Sequence, residues 1–278
     1  MIIKAYAKIN LTLDITGIMD NGFHSLRSIM APVSLCDEIT LDKSDELLFD
    51  CNIRSISGDD NLCVRAAKAF FEKSGINSGV SIKLQKNIPF PAGLGGGSAD
   101  AAAVLKGLNE LYGSPLSMPD LFSIAEKLGS DISLCLLGRP ALCEGKGDIL
   151  TPVSNLPEMH VVIAIGDGRL STPEVYRAYD RSNLSARNDS DAFLSALKSG
   201  DREAMINSCG NAFESVTDDL CPETKLLRNK MLELGALTAH LSGSGPSVYG
   251  IFADEMTSSL VTAELQSLGY AAYTCNTL

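Results

Sequence analysis

Basic side chains are in short supply in this chain. Lys and Arg number 23 against 34 Asp and Glu, a formal net charge of −11. Nucleic-acid binding without sequence preference needs a positive surface, so this balance argues against that role. It still leaves room for one anionic ligand, held by a few local lysines and backbone dipoles and eased by a metal ion. No run of 18 apolar residues occurs, which excludes a membrane span. The eight cysteines form no Cys-x-x-Cys pair and the three histidines lie far apart. Neither a zinc site nor a disulfide framework is expected. The N-terminal MIIKAYAKINL lacks a signal-peptide core, and free thiols without a leader fit a reducing cytoplasm.

What is present is apolar content and glycine in one place. Hydrophobic residues make up 45% of 278, enough for a real core in one large domain or two ordinary ones. Residues 89–103 read PFPAGLGGGSADAAA. Glycine lets a backbone turn tightly and bring its N–H groups against a ligand. A helix beginning at Ser98 would aim its free N–H groups and positive dipole end at the same spot. Pro91, Ala92, Gly93, Leu94, Gly95, Gly96, Gly97, Ser98 and Ala99 thus form a candidate phosphate cradle. The alternative is a flexible connector. Ala99, Ala101, Ala102 and Ala103 favour the cradle, because small residues let the helix pack close behind the loop.

The common phosphate loops do not fit. No lysine follows the glycines as a P-loop requires, and Ser98 stands where the dinucleotide fingerprint needs its third glycine. His-Arg-Asp, Asp-Phe-Gly and Gly-x-Ser-x-Gly are all absent, which removes the protein-kinase and serine-hydrolase readings.

Patterning supplies the frame. Residues 3–16 alternate cleanly and read as one half-buried strand, with Lys8 and Asn10 on its polar face. Ile29, Ala31, Val33 and Leu35 repeat the pattern, and Asn21-Gly22 between them is turn chemistry. Short strands are expected at 39–41 and 47–51, and Val80, Ile82 and Leu84 form another. Asn61 caps a helix to about Lys73. The helix after the glycines runs from Ser98 to Leu111, and Ser117 opens another that ends at Gly129. A Gly/Pro-rich stretch from Gly138 to Pro157 marks the expected boundary between domains 1–152 and 153–278. The second half reads as strand, helices, two strands, helix and strand, the split β-α-β-β-α-β order.

Three further features carry possible chemistry. Lys8 is either a solvated lysine or a site residue. Asp131 enters an apolar segment as either a helix-cap acid or a reacting group. LSGSGPSVYGIF, residues 241–252, is either a hairpin turn or a second glycine loop closing over the first.

Ala7-Lys8-Ile9-Asn10, PFPAGLGGGSADAAA, Gly129-Ser130-Asp131 and LSGSGPSV, in that order, resemble the motif layout of the GHMP small-molecule kinases. Gly22-Phe23-His24-Ser25-Leu26, the segment from Asp59 to Ala67, and Ser171-Thr172-Pro173-Glu174-Val175-Tyr176 narrow the resemblance. They point to the branch acting on a cytidine-diphosphate-linked polyol in non-mevalonate isoprenoid synthesis. The resemblance covers essentially the whole chain. It implies an α+β fold of two domains, the first like the second domain of ribosomal protein S5 and the second ferredoxin-like, with the active site in the cleft between them. It implies ATP with Mg²⁺, a small-molecule substrate, no nucleic-acid or membrane partner, and a monomer or weak homodimer. By the resemblance, Lys8 and Asp131 are catalytic. Asn61 and Lys86 match the adenine side. Asn10, Phe23, His24 and Tyr176 match the substrate side, with cytosine stacked between Phe23 and Tyr176 and read by His24. Tyrosine is usual where Phe23 stands, and Asp-Val-Pro is usual where Asp131-Ile132-Ser133 stands.

Overall fold

A computed structural model describes residues 1–20, 22–182 and 189–278. The expected turn residue Asn21 lies outside the described residues. The chain begins with β1 (Ile2–Asn10), β2 (Thr12–Ile18), β3 (His24–Ser44) and β4 (Leu48–Cys51). Then come α1 (Leu62–Ser74), β5 (Gly79–Gln85), α2 (Gly96–Leu111), α3 (Met118–Leu128) and α4 (Ser130–Leu137). A hairpin follows, β6 (Ala141–Gly145) and β7 (Ile149–Pro152), and then β8 (His160–Ile165). The middle of the second half holds α5 (Thr172–Arg181), α6 (Asp189–Ser199), α7 (Arg202–Asn207), β9 (Gly210–Asn211), α8 (Glu214–Leu220) and α9 (Pro222–Glu233). The chain ends with β10 (Thr238–Leu241), β11 (Val248–Phe252), α10 (Glu255–Ser267) and β12 (Ala271–Asn276).

Two compact units divide the chain. One comprises Met1–Ala7, Cys36–Pro89 and Gly95–Arg139; the other comprises Lys8–Leu35, Phe90–Leu94 and Pro140–Leu278. In the first, β5 pairs antiparallel with the later half of β3 and parallel with β4. The helices α1 to α4 pack on one another, and the buried alanines of α2 join Phe70, Ile39, Leu41 and Ile82 in one core. The small side chains expected to let α2 pack closely do so.

In the second unit β8, β10, β11 and β12 form an antiparallel sheet in the order β10-β11-β8-β12. With helices between β8 and β10 and α10 between β11 and β12, this is the ferredoxin-like arrangement that the split order predicts. Val161 to Ala164 on β8 are fully buried, and both α9 and α10 pack against that strand.

Two expectations need correction. The alternating segment 3–16 is two strands, broken at Leu11. There the amide bonds Ile29 O while the carbonyl accepts from the Gly210 amide and the Tyr249 hydroxyl. Beyond it β2 takes a parallel partner, β9. Nor is the segment half-buried beyond Ala7, since Lys8, Asn10, Thr12 and Asp14 are all buried. The Gly/Pro-rich stretch is also more than a linker. Its glycines Gly145 and Gly147 have positive φ within the β6–β7 hairpin, and β6 pairs with the first half of β3.

Candidate active site

In the first unit the glycine segment becomes a helix earlier than expected. Gly95 holds φ 67° as the N-cap and α2 starts at Gly96, so Gly96 and Gly97 are helical. The first i→i−4 bond of α2 runs from the Ala99 amide to Gly95 O, 2.8 Å. The amides of Gly96, Gly97 and Ser98 precede it, and no side chain caps the helix. The neighbouring α1 and α3 differ. Asn61 accepts from the Cys63 amide at 2.8 Å and donates to Ile56 O at 2.9 Å. Ser117 and Asp120 close a capping box on α3. Orphan N–H groups at a helix start can be met by water or by an anion.

Beneath that helix start lies a buried ion cluster. Lys86 donates to Asp37 and, at 2.8 Å, to Asp100 on α2. Asp37 also accepts the amides of Asn87 and Ile88, at 2.5 and 2.8 Å. One cation thus serves two carboxylates, and Asp100 Oδ1 has no hydrogen-bond partner among the described residues. Burial is the larger influence on Asp100; with Asp37 nearby it outweighs the attraction of Lys86, pushing its pKa up to about 7. A Cβ on Gly96 would sit 3.1 Å from Lys86 Nζ and from Ile88. Lys86 therefore spends its charge inside the unit, under the cradle. Asp131 stands in the first turn of α4, which begins at Ser130 after the N-cap Gly129, has no side-chain cap and packs on α2 and α3. Ser133, where the resemblance expects proline, is buried within α4.

The second unit holds the other motif residues. Lys8 Nζ donates to Asn10 Oδ1 at 2.7 Å, Asn10 Nδ2 to Ser28 Oγ at 2.9 Å, and Ser28 Oγ to Thr12 O at 2.5 Å. This buried chain aims the ammonium, an arrangement that a solvated lysine does not need. LSGSGPSV proves to be a hairpin turn that also packs on the first glycine segment. Leu241 pairs with Val248 across the hairpin, Ser242 Oγ donates to Gly93 O at 3.1 Å, and the Ser247 amide bonds Ala92 O at 3.3 Å. A Cβ built on Gly93 would lie 2.2 Å from Ser242 O, and one on Gly243 would lie 3.4 Å from Lys8 Nζ. At Gly93 only glycine fits such an approach. Leu94 O holds the Lys8 amide at 2.9 Å.

Reading the sequence missed Asn211. This fully buried amide donates to Leu241 O and Gly243 O, at 2.9 and 2.8 Å, and accepts from the Phe213 amide at 2.9 Å. It ties the second glycine loop to the β9 strand. A lone asparagine between apolar residues was the only available signal. Buried Asp14 of β2 accepts the Ser190 amide at 2.9 Å.

The residues expected on the substrate side also fall in the second unit. His24 meets Tyr176 ring to ring, centroids 4.6 Å apart and planes tilted by 40°. Tyr176 is braced edge-on by Phe213 at 4.7 Å. Phe23 is 60% exposed.

An uncapped helix start behind a glycine turn in one unit, and a buried oriented lysine with an aromatic-histidine pair in the other, suit phosphate and small-molecule chemistry. The comparisons agree. The GHMP kinases N terminal domain matches residues 61–139 and the GHMP kinases C terminal domain residues 193–271. The 4-diphosphocytidyl-2-C-methyl-D-erythritol kinase of Caldicellulosiruptor saccharolyticus is 42% identical over 92% of this chain and 89% of its own. A crystal structure of 4-(cytidine 5'-diphospho)-2C-methyl-D-erythritol kinase superposes with a TM-score of 0.87 at 33% identity, covering 100% of this chain and 99% of that one. Homoserine kinase from Cytophaga hutchinsonii shares the fold, with a TM-score of 0.72 at 20% identity over 99% of this chain and 95% of its own. The chain belongs to the GHMP kinases and, within them, to the family of 4-diphosphocytidyl-2-C-methyl-D-erythritol kinases. As a GHMP kinase it uses ATP as its phosphate donor. No helix among the described residues is long and apolar enough to cross a membrane.

Proposed function

We propose that this chain transfers the γ-phosphoryl group of ATP to the 2-hydroxyl of 4-diphosphocytidyl-2-C-methyl-D-erythritol. The products are the 2-phosphate and ADP, in the non-mevalonate route to isoprenoids, with the enzyme working in the cytoplasm as a monomer or weak homodimer. The observation that carries the phosphate role is the α2 start, where the amides of Gly96, Gly97 and Ser98 meet no side-chain cap. Phosphoryl transfer asks for positioning and charge stabilisation more than covalent help.

In this reading residues 91–99 hold the ATP phosphates. Asn61, which fixes the α1 start, and Lys86, which holds Asp37 and Asp100, serve the adenine side. Asp131 accepts the hydroxyl proton. In a loose transition state the proton leaves late, so orienting the oxygen matters more than base strength. Lys8, aimed by Asn10, steadies the attacking oxygen. Among the described residues no cluster of three or more His, Cys, Asp or Glu could hold a metal alone. A magnesium ion carried on the nucleotide would neutralise phosphate charge. Phe23, His24 and Tyr176 take the cytosine.

A coupled ADP-release assay tests the reading, with the cytidine-diphosphate substrate run beside homoserine and mevalonate. Turnover of the cytidine substrate alone is expected, and Asp131→Asn should lower kcat by roughly 100-fold or more with ATP affinity little changed. Preference for homoserine or mevalonate would overturn the substrate; a near-wild-type kcat would remove Asp131.

A further inference from the structure

His24 opens β3 and Asp180 lies in the last turn of α5, 156 residues apart in sequence, yet His24 Nε2 stands 2.6 Å from Asp180 Oδ1. A carboxylate oxygen only accepts, so the proton between them belongs to Nε2. Tyr176 precedes Asp180 by four residues. That spacing places ring and carboxylate on one face of α5, one turn apart. Both meet the same imidazole: Tyr176 lies against its ring and Asp180 against its edge. Tyr176 and Tyr179 are in turn braced edge-on by Phe213, at 4.7 and 5.7 Å. The His24 side chain is only 12% exposed, while that of Asp180 is 43% exposed. One helix therefore fixes both the plane of the histidine and the position of its proton.

We infer that Asp180 is a positioning residue that sets base selectivity. In the tautomer with its proton on Nε2, the ring offers Nδ1 as an acceptor, matched to the exocyclic amino group of cytosine. The carbonyl that uracil carries at the same place would meet that acceptor lone pair to lone pair. The inference rests on the reading that His24 faces the substrate's base. Which ring nitrogen carries the proton is set by the bond the other makes. Without Asp180 the proton can move to Nδ1, and the ring then donates to a carbonyl. A site built on one oriented hydrogen bond rejects the wrong partner because both groups are left unpaired.

Steady-state kinetics with the cytidine-diphosphate substrate and its uridine counterpart test this on wild type, Asp180→Ala and Asp180→Asn. Wild type should prefer cytidine. Asp180→Ala should raise KM for the cytidine substrate about 10-fold, with kcat and KM for ATP nearly unchanged, and should cut the cytidine-to-uridine ratio of kcat/KM at least about 10-fold. Asp180→Asn, whose amide oxygen still accepts from Nε2, should restore most of that ratio. Equal losses on both bases would show Asp180 to be merely structural and overturn the inference. So would nitrogen-15 shifts placing the His24 proton on Nδ1 in the free enzyme, a measurement needing no substrate. A wild type that ignores the base altogether would instead sink the cytosine reading on which the inference stands.

Discussion

Gly93 and Gly75 both hold left-handed backbone, at φ +76° and +68°, but only Gly93 is pressed against a neighbour. Gly75 ends α1 with open space where a Cβ would go. Gly75→Ala therefore costs the conformational strain alone, about 1 kcal/mol. Gly93→Ala adds a Cβ 2.2 Å from the backbone oxygen of Ser242, and backbone cannot swing aside as a side-chain tip can. The expected cost is about 2–4 kcal/mol, read by denaturant unfolding of the two variants side by side. Equal costs would mean that the two glycine loops are free to part. At this scale the sequence was most legible where chemistry repeats. The glycine cluster, Asn61, Lys8 and the aromatic-histidine pair announce themselves by type and spacing. Asn211 and Asp180 do not, because their meaning comes from partners far along the chain.

Helix punctuation was readable at the level of elements, since Asn61, Ser117, Gly129 and the β-α-β-β-α-β order all rest on local rules. The break at Leu11 was not, because the alternation of residues 3–16 continues straight through it and only the switch of partner to β9 divides the strand. The start of α2 was placed two residues late for a related reason. Glycine is a poor helix former, and nothing in the sequence shows that Gly96 lies close against Lys86 and Ile88. That packing makes a pH prediction. Asp100 keeps its proton in the folded chain to about pH 7, against a value near 3.8 for an unperturbed carboxyl. Between those values the folded state binds more protons than the unfolded state, so this group's contribution to stability is full below about pH 4 and is lost as pH rises through about 7. Asp100→Asn cannot titrate. The variant should therefore gain on the wild type between pH 5 and pH 8, as measured by denaturant midpoints at both pH values. A difference that stays flat, or that runs the other way, would show that Asp100 is ionised throughout and shares Lys86 on equal terms with Asp37.

At the scale of the whole molecule, sequence order and compactness divide the chain differently. A boundary at 152/153 separates the two matched regions, residues 61–139 and 193–271. The compact units instead interleave, and the unit that contains the four-stranded sheet also takes Lys8–Leu35 and Phe90–Leu94 from the first half. The bonds inside that unit show what those segments supply. Asp14 accepts the Ser190 amide, Tyr249 donates to Leu11 O, the Leu278 amide bonds Pro32 O, and β9 has β2 as its strand partner. Residues 153–278 made alone keep all four strands of the sheet yet lose each of these partners. Buried groups such as Asn211 and Tyr249 then face water or an unfilled core, and a domain's net stability of about 5–15 kcal/mol does not absorb several such losses. Separate fragments 1–152 and 153–278 should therefore lack sharp thermal transitions by circular dichroism and should bind a dye specific for exposed apolar surface, whereas mixing them during refolding should recover a cooperative melt. Two fragments that each melt cooperatively alone would show that the interleaved segments dress units already complete without them.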